Sequence, residues 1–277
     1  MLLGYNTNGF AHHSVEDALA ILAEIGYRSV ALTIDHAMLN PYGGELSAQL
    51  RRMRQLLTRY EMRSVIETGA RFLLDPRQKH EPTLVSADAA ERSRRVRFLQ
   101  QTIDIAAELQ SDCVSFWSGV LHEPGVSEAA AFDRLCAGLL QVIEYAQSRN
   151  VQLGFEPEPG MFIDTMVRYE QLLQRVDAPC FKLTLDIGHL HCRGETPIAE
   201  HIRRWAPRLV NVHIEDMKCG VHEHLMFGEG EINFLPVMQA LRDSNYAGGV
   251  HVELSRHSHM APEAARRAYD FLEPLIK

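Results

Sequence analysis

The chain is 277 residues long, enough for one large domain or two small ones with a sizeable core. Its 28 Lys and Arg against 36 Asp and Glu leave a net charge of −8, the wrong sign for holding a phosphate backbone by bulk electrostatics, so no nucleic-acid partner is expected. No apolar stretch approaches the roughly 20 residues of a membrane span, and the start Met1-Leu2-Leu3-Gly4-Tyr5-Asn6 lacks the basic and apolar regions of a signal peptide, so a cytoplasmic location without membrane contact is expected.

Short apolar β-type runs alternate with amphipathic helical windows from end to end. The first run, 2–6, precedes a window at about 15–26 in which Ser14 and Asp17 read as a cap and an acidic first turn. The runs 29–34 and 63–67 are each followed by a helical window, at about 46–60 and 88–109. Between the third run and its helix lies the irregular stretch 70–85, readable as an active-site loop or a solvated insertion. The runs 113–117, 151–156, 181–186, 209–213 and 250–254 follow, with windows at about 128–149, 165–176, 197–205, 234–243 and 262–275. Asp164-Thr165 opens one of these, and Thr196-Pro197 reads as a cap before a proline at the first helical position. Eight βα units at about 35 residues each predict an α/β chain folded as a closed (β/α)8 TIM barrel, one domain over 1–277. A doubly wound open sheet is the rival, but Gly4, Gly9 and Gly26 do not form its glycine-rich turn.

Five cysteines, an odd number without a C-x-x-C pair, point to reduced apolar filler rather than a disulfide framework or thiolate zinc site. Nine of the fourteen histidines, by contrast, fall after residue 188. The arginines of 51–54 and 92–97 lie on predicted helices and read as solvated faces.

Barrel chemistry comes from the C-terminal ends of strands, where the fifth to eighth runs carry Glu156, Asp186, His213 and Glu253. Strand alternation gives these four the inward phase and Phe155, Leu185, Val212 and Val252 the outward one. Three carboxylates so close would repel unless a cation neutralised them, so a divalent metal ion is expected. Three oxygens and one imidazole suit Mn²⁺ first, with Co²⁺, Mg²⁺ or Zn²⁺ as alternatives. Glu158 shares the face of Glu156; Pro157 and Pro159 favour Glu156 as ligand and leave Glu158 over the pocket. Glu67, Trp117 and Asn6 end earlier strands and face the same mouth, and with Glu158 they are expected to contact the substrate, Trp117 as a sugar-facing wall or else a core plug. His222 and His224 fall in the loop after the seventh strand, as substrate contacts or solvated loop residues.

Five segments, Phe155-Glu156-Pro157-Glu158-Pro159-Gly160, Leu185-Asp186-Ile187-Gly188-His189, Val212-His213-Ile214-Glu215-Asp216, Gly228-Glu229-Gly230-Glu231-Ile232-Asn233-Phe234 and Val252-Glu253-Leu254, resemble in order and spacing the xylose-isomerase-like barrel superfamily. Only the βα rhythm matches before residue 150. The resemblance implies metal ligands at Glu156, Asp186, His213 and Glu253, a substrate-lining His189, and acid-base work by Glu156 and Glu253. It implies a metal-dependent isomerase or epimerase of a small ketose, keto-polyol or related hydroxy-carbonyl substrate. A dehydratase, an endonuclease IV-like phosphodiesterase and a non-catalytic sugar- or metal-binding barrel are the alternatives. The endonuclease branch takes further histidine ligands from early strands; this chain has Glu67 and Trp117 there, which favours one ion over three.

Overall fold

A computed structural model describes residues 1–276. Eight parallel strands close into a barrel: β1 (Leu2–Asn6), β2 (Ser29–Thr33), β3 (Arg63–Glu67), β4 (Val114–Phe116), β5 (Leu153–Phe155), β6 (Phe181–Asp186), β7 (Leu209–Ile214) and, last in the chain, β10 (Gly249–Val252). The last strand pairs with both β7 and β1, so no edge is left unpaired. Helices α1 (Val15–Ile25), α2 (Leu46–Tyr60), α3 (Ala89–Leu109), α4 (Glu128–Arg149), α5 (Met166–Leu173), α7 (Ile198–Trp205), α8 (Phe234–Asp243) and α9 (Ala261–Ile276) follow the strands. Two elements lie outside this pattern: a six-residue helix α6 (Ile187–Cys192) directly after β6, and an antiparallel hairpin of β8 (Asp216–Lys218) and β9 (Val221–Leu225) after β7. None of the described helices is long and apolar enough to cross a membrane.

Local chemistry accounts for the boundaries. Ser14 accepts the amide of Asp17 and Thr165 that of Arg168, closing the first turns of α1 and α5. Pro197, expected at the first helical position, stands one residue earlier as an extended cap at φ −75° and ψ 132°. The outward side chains Phe155, Leu185, Val212 and Val252 are all buried beneath the helices. Each such side chain contributes about 1.5–3 kcal/mol by leaving water, which fixes strand register.

Two expectations are corrected. Arg95, placed among solvated arginines, is 4% exposed. Its guanidinium lies 4.7 Å over the Trp117 ring and donates to the His80 carbonyl at 2.9 Å, so packing and a hydrogen bond offset its burial. Among the cysteines, all free, Cys219 is exposed and Cys136 half-buried, so only Cys113, Cys180 and Cys192 are core filler.

Candidate active site

The strand register puts the four late strand ends at one height. Asp186 is level with His213, which is level with His251, and the amide of Glu253 bonds Ile214 O at 3.2 Å. One residue beyond β5, Glu156 extends the ladder by donating its amide to Phe116 O at 2.9 Å. His213 Nδ1 is the centre of the cluster: Glu156 Oε1 lies 3.1 Å away, Glu253 Oε2 3.1 Å and Asp186 Oδ2 3.9 Å. A cation with ligand bonds of about 2.1 Å separates neighbouring ligands by about 3.0–3.4 Å, close to this spacing.

The D-I-G-H run is explained by α6. Asp186 caps this helix through Oδ1, which accepts the amide of His189 at 2.8 Å. Its other oxygen, Oδ2, is buried with no hydrogen-bond partner and points at the cluster. A buried carboxylate oxygen without a donor is unfavourable by itself; a cation, or a proton on the neighbouring Glu215 carboxyl, which burial pushes well above its usual range, would relieve it. At Gly188 a Cβ would stand 1.9 Å from Glu215 Oε1, so any larger residue requires the buried Glu215 carboxyl to shift. Glu156, Asp186, Glu253 and His213, three carboxylates and one imidazole, therefore have the chemistry to hold a divalent ion.

The electrostatics point the same way. Burial opposes a charge on His213, yet the Glu67, Glu156 and Glu253 carboxylates raise its pKa well above 6.5, so the cluster draws in a positive charge. Burial pushes the Glu156 carboxyl up to about 8, partly offset by His213. Burial also acts upward on Glu253 and Asp186, but the surrounding histidines hold both below the usual carboxylate range, His213 leading for Glu253 and His189 for Asp186. Burial pushes the His189 imidazole down to about 3, against the pull of Asp186.

A cavity of about 430 Å³ opens over the cluster at the C-terminal end of the barrel. Asn6 and Trp117 line it, and the irregular stretch after β3 contributes Arg71, Lys79 and His80. That stretch is thus part of the mouth. Asn6 is spoken for locally, its Oδ1 accepting from Thr33 Oγ1 at 2.6 Å and from the amide of Asn8. Glu158 is at the cavity wall, and its carboxyl is raised well above 4.5 by burial and then by Glu156 and Glu253. Glu67 also reaches the wall, but its Oε1 is engaged by His213 Nε2 at 2.9 Å and Asn211 Nδ2 at 3.0 Å.

The β8–β9 hairpin stands where a loop is expected after the seventh strand. His222 and His224 share one face of β9 and turn to His189, with His222 Nε2 3.1 Å from His189 Nε2 and His224 Nδ1 3.0 Å from Glu253 O. Three residues escaped the sequence reading. Asn8 donates to Glu253 Oε1 at 2.9 Å, and Glu215 is fully buried behind Gly188. Asp216 accepts the amide of its neighbour Met217 and three amides of the 228–232 loop, explaining the Gly228–Phe234 motif.

The family model described as xylose isomerase-like TIM barrel matches residues 19–275. An L-ribulose-5-phosphate 3-epimerase from Shigella flexneri is 25% identical over 204 residues, covering 73% of this chain and 70% of that protein. Among solved structures, an L-ribulose 3-epimerase superposes at a TM-score of 0.77 with 19% identity, over 99% of this chain and 94% of that one. The IOLI protein with a bound zinc atom superposes at 0.80 with 15% identity, over 100% and 98%.

Proposed function

The chain belongs to the xylose isomerase-like TIM-barrel family, and from that premise we propose that it is an epimerase or isomerase of a small ketose or keto-polyol, working with one divalent ion. The observation that carries this reading is the convergence of Glu156, Asp186 and Glu253 on His213 Nδ1, with a buried Asp186 oxygen left without a donor. Similarity to the 3-epimerases supports the reaction class and a carbohydrate substrate. The zinc of the IOLI protein supports a divalent ion, with Mn²⁺ our first choice and Co²⁺, Mg²⁺ or Zn²⁺ as alternatives.

The ion, when bound, supplies Lewis-acid polarisation of the substrate carbonyl and the neighbouring hydroxyl. Glu156 and Glu253 reach the cavity from strands separated in the barrel by β6 and β7, so they flank a substrate seated there. One removes the proton from the carbon beside the carbonyl, and the other returns a proton to the opposite face or the adjacent carbon. The Asn8 amide, bonded to Glu253 Oε1, holds that carboxylate in place. His189, Glu158, His222 and His224 offer donors and acceptors to the substrate hydroxyls, and Trp117 offers an apolar face.

The test is a panel of free and phosphorylated ketoses incubated with chelator-treated protein, with and without Mn²⁺. Metal-dependent appearance of an epimer or isomer is expected. Tight binding without conversion of any sugar would make the chain a binding module, and loss of water would make it a dehydratase.

A further inference from the structure

Below the four converging groups the barrel interior is polar. Ser29 Oγ lies 2.8 Å from His251 Nε2, and His251 Nδ1 lies 2.8 Å from Asn211 Oδ1. Asn211 Nδ2 is 3.0 Å from Glu67 Oε1, which is 2.9 Å from His213 Nε2. These five side chains come from β2, β10, β7 and β3, and none is more than 6% exposed. Buried polar groups of this kind must be mutually satisfied, which restricts where the protons sit.

With a cation on His213 Nδ1, one assignment satisfies the whole chain. A carboxylate only accepts, so Asn211 presents Nδ2 to Glu67 and leaves Oδ1 to take the proton of His251 Nδ1. His251 Nε2 then accepts the Ser29 hydroxyl. At the upper end Glu67 Oε1 faces His213 Nε2, and a bare nitrogen lone pair there would oppose the carboxylate. Asn211 Nδ2 also lies 3.1 Å from Nε2, so the reversed tautomer could accept from it. That tautomer leaves Glu67 facing a lone pair and puts the proton on Nδ1, where a cation could not bind.

We propose that Glu67 is a positioning residue, holding His213 with Nε2 protonated and so presenting the Nδ1 lone pair where Glu156, Asp186 and Glu253 meet. The proposal rests on the metal-dependent reading above and revises the substrate contact expected for Glu67 from its strand-end position. A histidine ligand commonly donates its distal N–H to a carboxylate, which fixes the ring and strengthens the ligand. Here the carboxylate is itself restrained by a second donor, Asn211, in turn restrained by His251 and Ser29. The cation is thus held by an imidazole whose orientation is set three residues deep in the barrel.

The test uses the full chain with Zn²⁺ as a diamagnetic probe. Zinc dissociation constants are measured by chelator competition, and long-range proton–nitrogen correlation reads the His213 ring. Wild type should show a slowly exchanging Nε2 proton with zinc on Nδ1. Glu67→Leu should lose that protected proton and weaken zinc binding about 10–100-fold. Glu67→Gln, whose amide oxygen can accept from both His213 and Asn211, should keep the proton and recover most of the affinity. Should the leucine variant not fold, the glutamine variant alone decides: a protected Nε2 proton sustains the proposal, and its loss overturns it. Zinc affinity of Glu67→Leu within about threefold of wild type overturns the role of Glu67 alone. A wild-type chain that binds no zinc, Mn²⁺ or Co²⁺ overturns the metal reading and this proposal together.

Discussion

Asp216→Asn should destabilise the protein by about 3–5 kcal/mol, although it removes only one charge and almost no volume. Asp216 is 2% exposed and its two oxygens divide four backbone donors between them. Oδ1 accepts Met217 N at 2.9 Å and Ile232 N at 3.1 Å, while Oδ2 accepts Gly228 N and Gly230 N, both at 2.9 Å. The single carbonyl of an asparagine can serve one pair, and its NH₂ then meets the other pair donor to donor. Two charge-assisted bonds of about 1.5–3 kcal/mol each are lost, and two amides are left facing donors. No backbone shift relieves this easily, because Gly230 already packs so closely that a Cβ would stand 2.2 Å from Asp216 Oδ1. With an unfolding entropy of about 2.1 cal/mol/K per residue, the loss corresponds to a melting temperature lower by about 5–9 °C. Thermal and urea unfolding of the metal-free chain would measure it, and substrate affinity should weaken too, because the same loop abuts the hairpin bearing His222 and His224. An asparagine variant melting within about 1 °C of wild type would show that other contacts hold this loop and refute the reasoning.

Other substitutions separate the roles assigned around the mouth. Glu156→Gln should lose bound metal and activity together, whereas Glu158→Gln should retain the metal and change KM or kcat; metal loss confined to the Glu158 variant would put the ligand two residues further along. Metal analysis of the wild type should find about one tightly held divalent ion per chain, and three zinc ions would move the chain to the nuclease branch. Gly188→Ala forces a methyl against Glu215 and should cost about 1–3 kcal/mol, read by denaturant unfolding, with tolerance of the alanine refuting the close approach. His80, packed against Trp117, has its pKa lowered to about 3 by burial and then by Lys79, Arg95 and Arg71. The unfolded chain takes up that proton near pH 6.5 and the folded one does not, so stability from this group is full above pH 6.5 and is lost as pH falls toward 3. His80→Asn should flatten the slope of stability against pH in that window by up to about 1.4 kcal/mol per pH unit, and an unchanged slope would show that His80 titrates freely.

The eight strands were legible because each is a short apolar run beside a helix with its own period, and a strand needs nothing else to be seen. Glu156, Asp186, His213 and Glu253 were legible because strand phase and chain order suffice to bring them to one rim. What eluded the linear reading depends on partners far away in sequence. The segment 216–225 interleaves Met217, Cys219, Val221 and Leu225 with charge and histidine instead of forming an apolar run, so the sequence reads as a loop, although the alternation of His222 and His224 about Glu223 with Gly220 at φ +74° is a hairpin signal. Arg95 looked like its exposed neighbours because nothing local reveals that His80 and Trp117, one on a distant loop, fold over it. Asp216 shows the same limit, with donors 12 to 16 residues downstream gathered by glycine turns. Glu67 was legible at the mouth, but its bond to His213, across 146 residues and half the barrel, was not.

The most direct test of the proposed chemistry is turnover in D₂O. Metal-loaded protein is given a ketose that it converts, and the product is examined by mass spectrometry. If Glu156 and Glu253 act on opposite faces of the substrate, close to one solvent deuterium should enter the carbon beside the carbonyl per turnover. Conversion without any deuterium in the product would mean that hydrogen moves directly between carbons, and would contradict the acid-base role of both glutamates.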